Sequence, residues 1–114
     1  MHYAVYCLDR PDSHEMRCDH RATHRAYIDT QLHRIFFSGA LLGDDGVRQL
    51  GTLFILSVAS RAEAEEFLAR EPYHNAGVFE KVTIQRMRKG RFRPENLCEE
   101  QEAPLRFELP NGRP

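Results

Sequence analysis

The stretch from Arg17 to Phe36, RCDHRATHRAYIDTQLHRIF, constrains the fold more than any other, because it reads as one long helix whose ends want different surroundings. At about 100° per residue, Leu32 and Ile35 fall within about 40° of Ile28, an apolar stripe suited to packing on a sheet. Toward the N-terminus the same stripe passes through His24, Arg21 and Arg17. Charged groups are not buried as core unless they are paired or neutralised. The face is therefore expected to leave the core and line a pocket.

The elements around this helix follow in order. Tyr3 to Leu8 is continuously apolar and rich in β-formers, as in a strand covered on both faces, and Asp9, Pro11 and Asp12 break it. Ser13 is placed to cap the helix, which is expected to run from about His14 or Arg17 to Ile35. Phe36 to Leu42 reads as a second strand, with Gly39 marking a bulge or a close backbone approach. The turn Gly43-Asp44-Asp45-Gly46 joins it to a third strand, Leu50 to Val58, making a hairpin. Ser60 and Glu63 have the spacing of a capping box, so a second helix starts at Arg61, and Pro72 ends it near Arg70 or Glu71. Glu71 lies about 40° from Phe67 on the helical wheel and extends the inward face. Tyr73 to Phe79 reads as a loop, and Glu80 to Met87 alternates as a half-exposed strand.

This β-α-β-β-α-β order describes a ferredoxin-like α+β fold, an antiparallel sheet with both helices on one face. Strands one and three are too apolar to leave the other face in water. A second copy closing sheet to sheet about a two-fold axis, a dimeric α+β barrel, is the expected cover. The domain is placed at residues 1–88. Residues 89–114 carry a basic run, an acidic run and most of the prolines, and form an extension expected to pack on the body or the dimer partner through Leu97, Leu105, Phe107 and Leu109.

Composition excludes several functions. With 16 Lys and Arg against 17 Asp and Glu, no global field points to nucleic acid. Arg86, Arg88, Lys89, Arg91 and Arg93 flank Phe92, but the acidic run that follows offsets them. No apolar stretch is long enough to span a membrane, and the N-terminus lacks the pattern of a signal peptide. Cys7, Cys18 and Cys98 are widely spaced and free of any CxxC, which points to reduced thiols in a cytoplasm. There is no P-loop, dinucleotide fingerprint or nucleophile elbow, and no cofactor is expected. His20 and His24 stand at i and i+4, yet no third inward ligand accompanies them and His20 lies about 80° off the stripe, so no metal is expected either.

Several local features together resemble the YciI-like (YCII-related) family of small dimeric α+β barrel proteins. They are the opening YAVYCLDRP, the step Arg21-Ala22-Thr23-His24 with Tyr27 one turn on, the strand Phe37-Ser38-Gly39-Ala40-Leu41, and Glu71-Pro72-Tyr73 followed by Ala76-Gly77-Val78-Phe79. Their order and spacing, more than any single motif, carry the resemblance, which spans about Tyr3 to Met87. It implies an acid/base dyad of a first-helix histidine and an aspartate just before the proline after helix two. By position these are His24 and Glu71, the latter one methylene longer than the family's aspartate. The resemblance also implies lyase- or isomerase-type chemistry, dehydrohalogenation included, on small hydroxylated rings.

In the residues themselves, two readings of His24 and Glu71 stand: a general base held in one tautomer by a carboxylate, or a structural pair locking two helices over the sheet. Arg17 and Arg21 are candidates to clamp an anionic ligand with their planar forks, the alternative being an ion pair with Glu71 or a partner-chain acid. Tyr27 flanks this face, and Tyr73 and His74 are placed to line the mouth. The two functions that follow are an acid-base enzyme on a small ring-bearing metabolite and a non-catalytic small-molecule binder or accessory dimer.

Overall fold

A computed structural model of the chain describes residues 1–97. It contains β1 (His2–Asp9), α1 (His14–Asp29), a 3-10 turn (Leu32–Arg34), β2 (Ile35–Leu42), β3 (Gln49–Ser57), α2 (Arg61–Ala69), a short α3 (Pro72–Asn75), β4 (Phe79–Met87) and a second 3-10 turn (Pro94–Asn96). The four strands form one antiparallel sheet in the order β2-β3-β1-β4. This is the ferredoxin-like arrangement, with the first and third strands at its centre.

The sheet is one-sided. Tyr3, Val5 and Cys7 of β1 stand opposite Leu56, Phe54 and Thr52 of β3, and all six are buried on the helix side. Ala64, Phe67 and Leu68 of α2 join them, with Tyr73, Val78 and Phe79. The opposite face points outward: Tyr6 of β1 is 44% exposed, and Phe37 of β2, paired with Ile55, is 59% exposed. The apolar character of β1 thus covers only one side within a single chain, whereas the sequence reads as covered on both.

Three expectations are corrected. The first helix does not continue to Ile35. It stops at Asp29, Thr30 caps it, and Leu32 is 62% exposed on the 3-10 turn. Ile35 is the first residue of β2, so the apolar spacing that suggested one long stripe joins two elements. Secondly, residues 72–75 form a helical turn rather than part of a loop, with Pro72 at its first position, where the missing N–H costs nothing. Thirdly, Gly39 crowds nothing, and the register shifts fall at Ile35/Phe37 and Leu41/Leu42. The tight approach is at Gly51, where a Cβ would sit 2.0 Å from the Cys7 carbonyl oxygen.

The ends of α1 and α2 differ in mechanism. Ser60 accepts a hydrogen bond from the Glu63 amide, and Glu63 reaches back to the Ala59 amide at 2.9 Å. Ser13 occupies the equivalent position before α1 without a side-chain capping bond. Beyond β4 the chain turns back toward β2 and brings Phe92 to 5.4 Å from Phe36, ring to ring. Leu97, expected as an anchor, is 82% exposed. Leu105, Phe107 and Leu109 lie outside the described residues.

Candidate active site

The N-terminal half of the α1 stripe faces β2 and β3 across a cleft of about 200 Å³. Arg17, Arg21, His24, Arg25 and Ile28 line it from the helix; Ser38 to Ala40, Gln49, Thr52 and Phe54 line it from the sheet, and Tyr73 closes one end. A cavity of about 150 Å³ holds benzene, so this space suits a single ring.

Glu71 is the pivot of the site. Pro72 restricts it to extended backbone, which makes it the N-cap of α3. One carboxylate oxygen accepts from the His74 amide at 2.9 Å, and the other accepts from Nδ1 of His24. The side chain is 0% exposed. A buried carboxylate must find such partners, and here one is the cap and the other the imidazole. With Nδ1 donating to the carboxylate, neutral His24 keeps its lone pair on Nε2, the nitrogen left for the cleft.

Tyr73 braces the imidazole. Its ring lies 4.1 Å from that of His24, nearly parallel at 13°, and the Arg17 guanidinium sits 4.7 Å from the tyrosine centroid. Burial raises the Tyr73 hydroxyl above its ordinary pKa, with the nearby Arg17 opposing, so the phenol stays protonated. Arg17 in turn is fixed by Asp9, through Nε–Oδ2 at 2.7 Å and Nη2–Oδ1 at 2.8 Å, and donates to the Thr52 hydroxyl at 3.2 Å.

The structure therefore brings His24, Glu71, Arg17, Arg21 and Tyr73 together and separates two others. Tyr27 turns to α2, where its hydroxyl donates to the Phe67 carbonyl at 2.7 Å. His74 contributes its amide to Glu71, but its ring packs toward Phe79 and is not part of the cleft wall. Arg17's partner acid is Asp9 rather than Glu71, and that carboxylate takes the Nε–Nη2 edge of its fork. Sequence reading missed Asp9, which it took only as a strand breaker, and also Arg25, Ser38, Gln49 and Thr52. Alternation along β3 marks Thr52 as inward; Asp9 meets Arg17 only through the fold.

Fold and site together define a small α+β protein with a histidine–carboxylate pair set in a ring-sized cleft between its first helix and its sheet. The chain belongs to the YCII-related domain family, whose model matches residues 1–88. Among solved structures it is similar to 5-chloro-2-hydroxyhydroquinone dehydrochlorinase (TftG) from Burkholderia phenoliruptrix AC1100, in complex with 2,5-dihydroxybenzoquinone. The identity is 30%, the TM-score 0.72, and the match covers 79% of this chain and 96% of that one. A second match, At3g17210 from Arabidopsis thaliana, has 10% identity and a TM-score of 0.44 over 81% of this chain and 97% of that one. No curated protein matches. Among the described residues no helix is long and apolar enough to cross a membrane.

Proposed function

We propose that this chain is a lyase- or isomerase-type enzyme that moves protons on a small hydroxylated ring compound. The observation that carries the reading is the His24–Glu71 pair, braced by Tyr73, at a ring-sized cleft lined by Arg21 and Arg25. That a 30% identical protein is a dehydrochlorinase solved with a dihydroxybenzoquinone supports it.

In this mechanism His24 Nε2 takes a proton from a ring hydroxyl or ring carbon while Glu71 stabilises the imidazolium that forms. The released electron pair moves into the ring, where Arg21 stands beside the developing oxyanion. In an elimination the pair leaves with an anionic group such as halide; in an isomerisation the imidazolium returns the proton to another ring atom. Asp9 engages Arg17, which assigns ligand charge to Arg21 and Arg25. The working unit in this proposal is a homodimer closed over the outer sheet face, in the reducing cytoplasm that the free thiols Cys7 and Cys18 suit.

A second reading, a ligand-holding protein without turnover, draws on Glu71 itself, whose capping of α3 is a structural duty sufficient to retain it. The two are separated by thermal shift and turnover on wild type and His24→Ala with dihydroxybenzoquinones and chlorinated hydroxyhydroquinones. A ligand at one hundred times its dissociation constant adds about 2.7 kcal/mol, visible as a rise of several degrees. The enzyme reading expects His24→Ala to bind with similar affinity and lose about 10²–10⁴ in rate. Loss of affinity with no wild-type turnover favours the binder, and a panel that never shifts the wild type overturns both.

A further inference from the structure

Tyrosines that turn inward in this fold spend their hydroxyl protons, with one exception. Tyr27 donates to the Phe67 carbonyl at 2.7 Å and Tyr3 to the Met1 sulfur at 3.9 Å. Tyr73 is 2% exposed and lines the cleft, yet among the described residues no acceptor takes its proton. The polar groups around it are turned elsewhere. Arg17 carries donors only, the Asp9 carboxylate accepts from Arg17, and Glu71 accepts from His24 and the His74 amide. The Tyr73 oxygen is not one of the sealed, unpartnered polar atoms of the interior, so it opens on the cleft that its ring lines. A buried phenol ordinarily has a hydrogen-bond partner. Here the partner is left to the occupant of the cleft.

The ring that carries this hydroxyl is held on several sides. It stacks on His24 at 4.1 Å and 13°, meets Phe79 edge to face at 6.5 Å and 82°, and has the Arg17 guanidinium 4.7 Å from its centroid. His24 and Tyr73 thus present neighbouring, nearly parallel ring planes, and both border the cleft. A flat ligand lying against their edges meets a base and a donor together. We propose that the Tyr73 hydroxyl is a further catalytic group, donating a hydrogen bond to an oxygen of the bound ring and stabilising the negative charge that gathers there when His24 takes its proton. The inference rests on the proton-moving reading of the site and adds a second donor to Arg21. Only a hydrogen bond is made, and the phenol proton stays on Tyr73. Burial favours that protonated form, while the adjacent Arg17 cation, pulling the other way, polarises the O–H bond.

The test compares the full-length wild type with Tyr73→Phe, using 2,5-dihydroxybenzoquinone as the probe and its visible absorption band as the signal. Phenylalanine keeps the stack on His24 and removes only the donor. The variant is expected to bind the probe about tenfold to a hundredfold more weakly, the range for a hydrogen bond to a charged oxygen, and to shift the band less. With a chlorinated hydroxyhydroquinone, its turnover number is expected to fall as well. A protein with 3-fluorotyrosine in place of Tyr73 keeps the ring and strengthens the donor, so it should bind the probe more tightly than wild type; this arm decides the matter if Tyr73→Phe does not fold. Equal affinity and band position in wild type and both variants overturn the inference and leave the roles of His24 and Glu71 standing. Weaker binding in Tyr73→Phe without any wild-type turnover upholds the hydrogen bond and overturns the enzymatic reading instead. A wild type that never binds the probe overturns both.

Discussion

Glu71 shows how two demands settle on one side chain: its two carboxylate oxygens serve separate partners, the backbone of α3 and the imidazole of His24. The Asp9–Arg17 pair is the other buried charge pair on this face, with side-chain exposures of 6% and 3%. Arg17→Met leaves the Asp9 carboxylate buried and alone, so a loss of about 3–5 kcal/mol is expected in chemical denaturation. Adding Asp9→Leu to that variant should recover much of it, since neither charge then remains. Alkaline stability follows from Cys7, whose thiol is pushed from 9.0 up to about 12, chiefly by burial and next by the Glu71 carboxylate. The folded thiol keeps its proton where the unfolded chain has lost it, so its contribution is complete below about pH 9 and disappears as pH rises through about 12. Cys7→Ala should flatten the fall in melting temperature over that window; Tyr73, also raised by burial, sustains the remainder. An unchanged slope removes Cys7 as the cause.

The elements were legible where periodicity and caps agreed and illegible where one pattern ran across a boundary. Val5, Phe54 and Phe67 alternate or repeat as core residues should, and the Ser60–Glu63 spacing marked the start of α2. The first helix was overextended because Ile28, Leu32 and Ile35 keep a 3.6-residue spacing although Thr30 ends the helix and Ile35 belongs to a strand. Helix α3 escaped because four residues are too few to show a period. His24 sits on an inward helical face, as its spacing suggests. Glu71, however, lies beyond the end of α2 in extended backbone, so the wheel that turned it inward continued a helix that stops at Ala69. Asp9 lies at a strand end, where nothing local announces a partner on α1. The β1–β3 pairing yields a sharp expectation. Gly51→Ala drives a Cβ into the Cys7 carbonyl, backbone that cannot step aside, and should cost about 3 kcal/mol or more. Amide exchange in β1 and β3 would rise together; an unperturbed melting temperature would mean that the strands separate without cost.

At the scale of the whole molecule, the outer face of the sheet is the unresolved energetic problem. Tyr6, Leu53, Ile55 and Phe37 lie on that face across three neighbouring strands, and a contiguous apolar surface of this kind is unusual in a monomer. The proposed homodimer predicts a sedimentation coefficient of two chains in wild type and of one chain in Tyr6→Glu, with helical content retained. A wild-type monomer would sink that assembly. The cap on α3 bears on how such a protein diversifies. Because the carboxylate that orients the imidazole also starts a helix, folding alone preserves it through periods when no reaction is under selection. In the proposed enzyme the chemistry is in that sense stored in the scaffold. Variation in new substrate specificity is free to concentrate on the opposite wall, at Ser38 and Gln49, and a library built there would explore ring substituents without touching the proposed base.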